Sequence, residues 1–366
     1  MKCLHVFTLN KVRHNGNIVK MISELEADGE INDTKNDFLV FDQSIYNEFA
    51  DKCNCIYSKE KKAKAINSRT EGYDIIFLHC LNLSAFEVLK LKKSAIKKMI
   101  WVIWGHDLYL NNDENEFIDR VKLVLRKIKW FIPDIRLRSL YAIGISWLYD
   151  SLEVRKRFPN VRLVRLGYGY YDLRSTIDEC LDNSEKTADT PTKIMIGHSA
   201  YKKLHHIPIM KKLEKFKDEN IIISLVLSYG NKEYRDKVIK YADGVWGEKA
   251  EIITDYLSVP DYIKYINSVD IGIFDIKAQS ALGNINYLAS LNKKIFLNRN
   301  GILKLAFDLE EVETYCVDEI ENKSFEEFIR PTEDLRGHQN YSNQRIGLHN
   351  KHRWEFVLKE LKREFK

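Results

Sequence analysis

Short apolar runs rich in β-formers alternate along the chain with longer segments whose apolar residues recur at helical spacing. That alternation predicts parallel sheets joined by crossover helices, an α/β fold. In the first half the runs place strands at residues 3–9, 38–41, 74–79, 99–104, 141–145 and 163–166, with helices between them, as at 18–26 and 117–130. Residues 173–192 are polar and acidic, carry no apolar stripe and include a proline just before the next strand, so they read as a linker. A second series follows, with strands at 193–196, 221–228, 251–254, 270–274 and 294–298 and helices near 207–216, 232–241, 260–268 and 283–290. In the last segment, Trp354, Val357, Leu358 and Leu361 share one helical face and predict a closing helix that packs back on the first domain. The reading is two Rossmann-like, doubly wound domains, 1–172 and 193–345, with the linker 173–192 between them and a terminal helix at 346–366. Such sheets bind ligands beyond the carboxyl ends of their strands, which predicts a central cleft between the two domains.

Composition narrows the class. With 366 residues the chain exceeds one ordinary core, and 45% apolar against 30% charged residues excludes extended disorder. A net charge of +5 is too mild to indicate nucleic acid. No apolar run reaches the roughly 20 residues of a membrane span, and the N-terminus lacks a signal-peptide core, so a cytoplasmic location is expected. The six cysteines are scattered, and Cys53-x-Cys55 has no second ligand pair near it, so reduced thiols and no structural zinc are expected.

The chain contains no G-x-G-x-x-G, no G-x-x-x-x-G-K-[ST] and no G-x-S-x-G. Gly197-His198-Ser199 follows the first strand of the second domain, and Gly283-Asn284 stands where a helix begins. Either small-residue turn would let backbone N–H groups hold a pyrophosphate without a metal, or be an ordinary strand-to-helix turn. The segment Trp101 to Tyr109 (WVIWGHDLY) ends a strand in Gly105, His106 and Asp107, which puts titratable groups at a sheet's carboxyl end. Asp107 there serves as a base, orients a sugar hydroxyl or caps the following helix; sequence leaves these open. His14-Asn15 and His79-x-x-Asn82 follow other strands of the same half, so several polar side chains would meet at one sheet edge, as a sugar site requires. No Asp-x-Asp stands at a strand end, and Asp270 and Asp275 would point to opposite faces of a strand, so neither metal nor cofactor is expected.

The string Trp101 to Tyr109, with His14-Asn15, His79-x-x-Asn82, Gly197-x-Ser199 and the stretch from Tyr262 to Asn298-Arg299 containing Gln279 and Gly283, resembles glycosyltransferase family 56. These are the TDP-N-acetylfucosamine:lipid II N-acetylfucosaminyltransferases of enterobacterial common antigen assembly, and the matches run collinearly over nearly the whole chain. The resemblance implies a metal-independent GT-B enzyme whose second domain holds a nucleotide-sugar donor and whose first domain takes a polyprenyl-diphosphate-linked saccharide. It makes Gly197, Ser199, Gln279 and Gly283 donor residues, with His198, Tyr229 and Asn284 beside them. It makes Asp107, His14 and His79 catalytic candidates, and Asn15, Asn82, Trp104, His106 and Tyr109 acceptor candidates. His198 and His106 depart from the family's expected Asn and Ala, and Ser280-Ala281-Leu282 lacks an expected glycine, which leaves TDP or UDP as the donor nucleotide.

Between Arg120 and Arg138 seven basic residues interleave with Val, Leu, Ile, Trp and Phe, and Asp134 is the sole acid. Such a helix lies on an anionic membrane, with Lys122, Arg126, Lys127, Lys129 and Trp130 as contacts, or is a solvated helix with a core-facing stripe. A lipid-linked acceptor favours the first and a peripheral location on the inner face of the bacterial membrane. Two other functions fit the same fold: a catalytically inactive nucleotide-sugar or glycolipid binding protein, and an epimerase that needs no acceptor.

Overall fold

The computed structural model describes residues 1–109, 117–167, 187, 189–333 and 348–365. The chain forms two compact units, Met1–Tyr171 with Gly347–Lys366, and Asp172–Ile346. Most of the expected linker, 173–192, lies outside the described residues.

Unit 1 contains β1 (Lys2–Phe7), α1 (Val12–Ala27), β2 (Lys35–Val40), α2 (Gln43–Phe49), β3 (Cys55–Tyr57), α3 (Lys62–Arg69), β4 (Ile75–His79), α4 (Ala85–Lys90), α5 (Lys93–Lys97), β5 (Met99–Val102), α6 (Phe117–Leu137), β6 (Ala142–Ile145), α7 (Asp150–Arg157) and β7 (Leu163–Arg165). Its strands form one parallel sheet in the order β3-β2-β1-β4-β5-β6-β7. The order reverses between β1 and β4, the place where an open sheet leaves a crevice at its carboxyl edge.

Unit 2 repeats the plan with β8 (Thr192–Ile196), α8 (His206–Leu213), β9 (Ile221–Val226), α9 (Lys232–Trp246), β10 (Ala250–Ile253), α10 (Val259–Ser268), β11 (Ile271–Phe274), α11 (Leu282–Ser290), β12 (Lys294–Leu297), α12 (Ile302–Leu309), β13 (Tyr315–Cys316) and α13 (Phe325–Ile329). Its sheet order is β10-β9-β8-β11-β12-β13, with the reversal between β8 and β11. One side of this sheet buries Ile194, Ile196, Ile223, Leu225 and Phe296 against Met210, Val238 and Phe328.

The last helix, α14 (Leu348–Glu364), belongs to unit 1. Its face of Trp354, Val357, Leu358 and Leu361 enters the cluster formed by Cys3, Phe7, Ile18, Phe38 and Phe77. The Trp354 indole N–H donates to the Gly167 carbonyl at 2.6 Å, which ties the helix to the chain just after β7.

Candidate functional site

At the unit 1 reversal the loops after β1, β4 and β5 are laced together. Cys80 takes a left-handed conformation at φ 63° directly after β4, and its carbonyl accepts the Thr8 hydroxyl. The Asn82 side chain donates to the Thr8 carbonyl at 3.1 Å, and its backbone N–H to the Thr8 hydroxyl at 3.2 Å. Asp107 closes the knot. Its Oδ2 accepts the Leu81 N–H at 2.8 Å and the Trp101 indole N–H at 2.7 Å, and its Oδ1 accepts the Trp104 N–H at 3.0 Å. The turn that allows this has Gly105 at φ 95°, a left-handed position that favours glycine. A carboxylate holding three N–H donors, from the loops after β4 and β5 and from β5 itself, clamps the strand ends rather than capping a helix, and its Oδ1, with one bond, keeps room to orient an acceptor hydroxyl.

His79 is corrected as a catalytic candidate. It is fully buried on the α1 side of the sheet, stacked on His5 and on Trp354. Asn36 donates its amide to Glu26, so its oxygen accepts from His5 Nε2, and His5 Nδ1 in turn accepts from His79 Nε2 at 3.0 Å. Burial drives both imidazoles neutral, with His5 lowered to about 4 and His79 well below its usual value, the neighbouring His5 adding to the latter. Asn15 is also fully buried, and its amide donates to the Leu9 carbonyl at 3.0 Å, so it fastens a loop rather than reaching an acceptor.

His14 is half-buried on the first turn of α1 and meets Trp104 edge to face at 5.2 Å. Exposed His106 sits 3.4 Å from the Cys80 thiol, and Cys80, His106 and Asp107 bring their ligand atoms within 4.8 Å of one another. They make a poor metal set. Burial, reinforced by Asp107, pushes the Cys80 thiol far up, and both Asp107 oxygens already accept protein hydrogens. Tyr109, expected to touch the acceptor, is buried and donates to Asp150 at 2.8 Å. Asp150, which sequence reading overlooked, is raised to about 7 by burial and by the Asp107 charge, against the opposing hydrogen bond from Tyr109.

In unit 2 the two glycine turns differ. Gly197 lies at φ +63°, and a Cβ there would sit 2.7 Å from His206 Nε2, so the turn itself requires glycine. Ser199 is fully buried with its hydroxyl left without a partner among the described residues, and His198 is half-buried against Tyr229. Gly283 has nothing within 4 Å of an added Cβ, so its own packing does not explain it. It lies in the first turn of α11, whose N-cap, Ala281, is left-handed at φ 60° and offers no side-chain cap. Beside it, Asn284 accepts the Tyr262 hydroxyl at 2.7 Å, and Gln279 is half-buried in the preceding loop. Asp275, weighed from sequence only as a metal ligand along a strand, lies just past the end of β11 and joins the loops after β8, β11 and β12. It accepts from His205 at 3.0 Å and from Asn298; burial alone would raise it, but these two bonds hold its carboxyl below the usual range.

A family model described as 4-alpha-L-fucosyltransferase, glycosyl transferase group 56, matches residues 1–336. The chain belongs to glycosyl transferase group 56. Solved structures match the fold of this group 56 chain over nearly its full length. A glycosyltransferase from Rickettsia africae ESF-5 is 14% identical over 98% of each chain, with a TM-score of 0.66. A trehalose-6-phosphate protein from E. coli bound with UDP-2-fluoro glucose is 9% identical over 99% of each, at 0.63. An alpha,alpha-trehalose-phosphate synthase (UDP-forming) from Burkholderia xenovorans, in complex with glucose-6-phosphate, is 9% identical over 99% of this chain and 100% of that one, at 0.62. The group 56 chain is thus a transferase with two parallel-sheet α/β domains of the GT-B class.

One surface of the group 56 chain departs from a solvated helix with a core-facing stripe. On α6, Val124, Leu125, Ile128, Phe131, Ile132 and Ile135 are all exposed, by 46–66%. At about 100° per residue they fall within an arc of roughly 120°, flanked by Lys127 and Lys129, while half-buried Trp130 and buried Pro133 and Leu137 occupy the opposite face. Asp134 on this helix is neutralised by a two-bond pair with Arg157. Trp130 is therefore corrected as a surface contact, and the side chain of Lys122 lies outside the described residues. Among the described residues no helix is long and apolar enough to cross a membrane.

Proposed function

We propose that this group 56 enzyme moves an acetamido-deoxy sugar, such as N-acetylfucosamine, from a TDP- or UDP-sugar to a saccharide on polyprenyl diphosphate, working on an anionic membrane surface. The observation that carries the lipid-linked acceptor is the bare apolar stripe of α6 with its flanking lysines. An enzyme of soluble sugars has no use for six exposed large apolar side chains on one helix face, whereas an interfacial helix is built that way.

The donor diphosphate is assigned to the first turn of α11. Its N–H groups lack a side-chain cap, and Gly283 leaves the backbone open to an anion. Asp275 and Asn298 stand on neighbouring strand ends as partners for sugar hydroxyls. On the acceptor side, with His79 in the core and Asp107 engaged, His14 beside Trp104 is the remaining histidine of the three for the acceptor proton, and Asp107 is a positioning residue.

The test is turnover of a labelled TDP- or UDP-sugar, with and without membranes carrying the polyprenyl-linked acceptor. Lipid-extractable label that needs both substrates supports the assignment. Donor consumed without acceptor would mark an epimerase, and donor bound but never consumed would mark a binding protein. Gly283→Val adds bulk where the protein itself has room, so it should raise the donor KM without unfolding; an unchanged KM would remove α11 from the diphosphate site.

A further inference from the structure

Three adjacent strands of unit 2 deliver aromatic rings to the same sheet edge. Tyr201 follows β8, Tyr229 follows β9 and Tyr256 follows β10. These rings are not packed away: Tyr201 is 44% exposed, Tyr229 40% and Tyr256 73%. Nor are they arranged at random. Tyr229 and Tyr256 lie parallel within 8° with centroids 6.0 Å apart, and Tyr201 and His198 meet Tyr229 edge to face. Large exposed rings normally fold over apolar neighbours, so a near-parallel exposed pair needs a backbone that holds it.

That backbone is present. The loops after β8 and β9 continue the sheet as a parallel bridge between Ala200 and Gly230, through Ala200 N–H to the Tyr229 carbonyl at 2.7 Å and Asn231 N–H to the Ala200 carbonyl at 2.8 Å. Gly230 makes the approach possible. It lies at φ +126°, and a Cβ there would sit 2.5 Å from the Ala200 carbonyl oxygen. Tyr229 is thus fixed from both sides, and Tyr256 stands against it from the neighbouring strand end.

We infer that the Tyr229–Tyr256 pair is a stacking platform for the pyrimidine base of the nucleoside diphosphate. The inference rests on the donor site proposed above and adds the part of the ligand that site leaves unassigned. A planar base has two π-faces and little else that a flat, exposed phenol can recognise. The platform's loops follow β9 and β10, and only β8 separates β9 from β11, whose following helix carries the proposed diphosphate turn, so base and diphosphate would lie along one sheet edge. Saccharide stacking is the competing occupant.

The experiment measures binding of TDP, UDP and inorganic pyrophosphate to the full chain by calorimetry, for wild type, Tyr256→Ala, Tyr256→Phe and Gly283→Val. Removing a stacking aromatic weakens base binding by roughly 10- to 100-fold. Tyr256→Ala should show that loss for TDP and UDP and none for pyrophosphate, while Tyr256→Phe stays near wild type. Gly283→Val should weaken all three ligands. If Tyr256→Ala keeps nucleotide affinity while Gly283→Val loses it, the platform is wrong and the donor site stands. If Tyr256→Ala raises only the acceptor KM, the rings belong to a saccharide and the inference is overturned. A wild type that binds neither nucleotide overturns both readings.

Discussion

Replacing the exposed apolar residues of α6 should do more to membrane binding than removing its charges once salt is present. Fully burying a Val, Leu, Ile or Phe side chain contributes about 1.5–3 kcal/mol. The six stripe residues are already partly covered, with 46–66% of each exposed, so full immersion of what remains would contribute about 1–2 kcal/mol apiece. A helix lying in the headgroup region immerses only part of that area, which leaves roughly 3–6 kcal/mol for the stripe. Lys127 and Lys129, which flank the stripe, add about 1 kcal/mol each at an anionic surface, roughly 2 kcal/mol together, and salt screens that share but not the apolar one.

Two variants separate the contributions. Ile128→Ser, Phe131→Ser, Ile132→Ser removes about half of the apolar share, roughly 1.5–3 kcal/mol or 10- to 150-fold in partitioning. Lys127→Gln, Lys129→Gln removes a comparable amount, roughly 2 kcal/mol, at low salt only. In flotation with phosphatidylglycerol vesicles, both should bind poorly at about 50 mM NaCl. At about 0.5 M NaCl, where screening acts within a few ångströms, wild type and the Gln variant should converge on the same residual flotation. The Ser variant should then not float. Substitutions at exposed positions leave folding intact, which a melting curve verifies. Complete release of wild type by salt, or undiminished flotation of the Ser variant, would refute the interfacial assignment of α6.

Asp107→Asn puts an amide among three N–H donors and should destabilise unit 1 by about 1–3 kcal/mol in urea unfolding; an unchanged midpoint with a kcat loss of about 10²–10⁴ would restore the base role. Asp150 has a folded pKa of about 7 against an unfolded value near 3.9, so between those pH values the folded state binds more protons. Its contribution to stability is full below the unfolded pKa and is lost as pH rises through about 7. Asp150→Asn should therefore raise the melting temperature at pH 8 but not at pH 4, and an equal shift at both would contradict the burial argument. Trp354→Ala should cost about 3–5 kcal/mol by opening the core under α14 and releasing the Gly167 carbonyl.

The sheets were legible because parallel strands are buried on both faces and read as continuous apolar runs. That is why eleven of the strands stood out, from residues 3–9 to 294–298. The two that did not, β3 and β13, have only three and two residues and lie at sheet edges, too short for any run to register. Helices α2, α3, α4 and α5, of five to eight residues, fail for the same reason: two turns do not display a stripe. On α6 the stripe was plain, and its direction was not. Periodicity reports that apolar residues share a face, but whether that face meets the core or solvent depends on what lies opposite, here Trp130, Pro133 and Leu137.

The site was legible in position and misleading in role, and His79 shows the reason. It shares a strand face with Ile75 and Phe77, both core residues, and that two-residue period was visible in sequence. The same period places Ile76 and Leu78 on the other face, equally buried, so alternation gave no in-versus-out signal with which to place a final histidine. What settles it is non-local: His5 lies on the adjacent strand in register with Phe77, and Trp354 arrives from the far end of the chain. Asp107 follows the same logic. Its bond to the Trp104 N–H is a local turn that sequence could suggest, but the Leu81 N–H comes from another strand end, and it is the convergence of donors that converts an available carboxylate into a clamp. A polar residue at a strand's carboxyl end is therefore evidence for where a site lies. Its chemical role follows only when every hydrogen bond it already makes has been counted, and Gly283, with nothing within 4 Å of an added Cβ, is a cleaner probe of the reaction than Asp107 or His79.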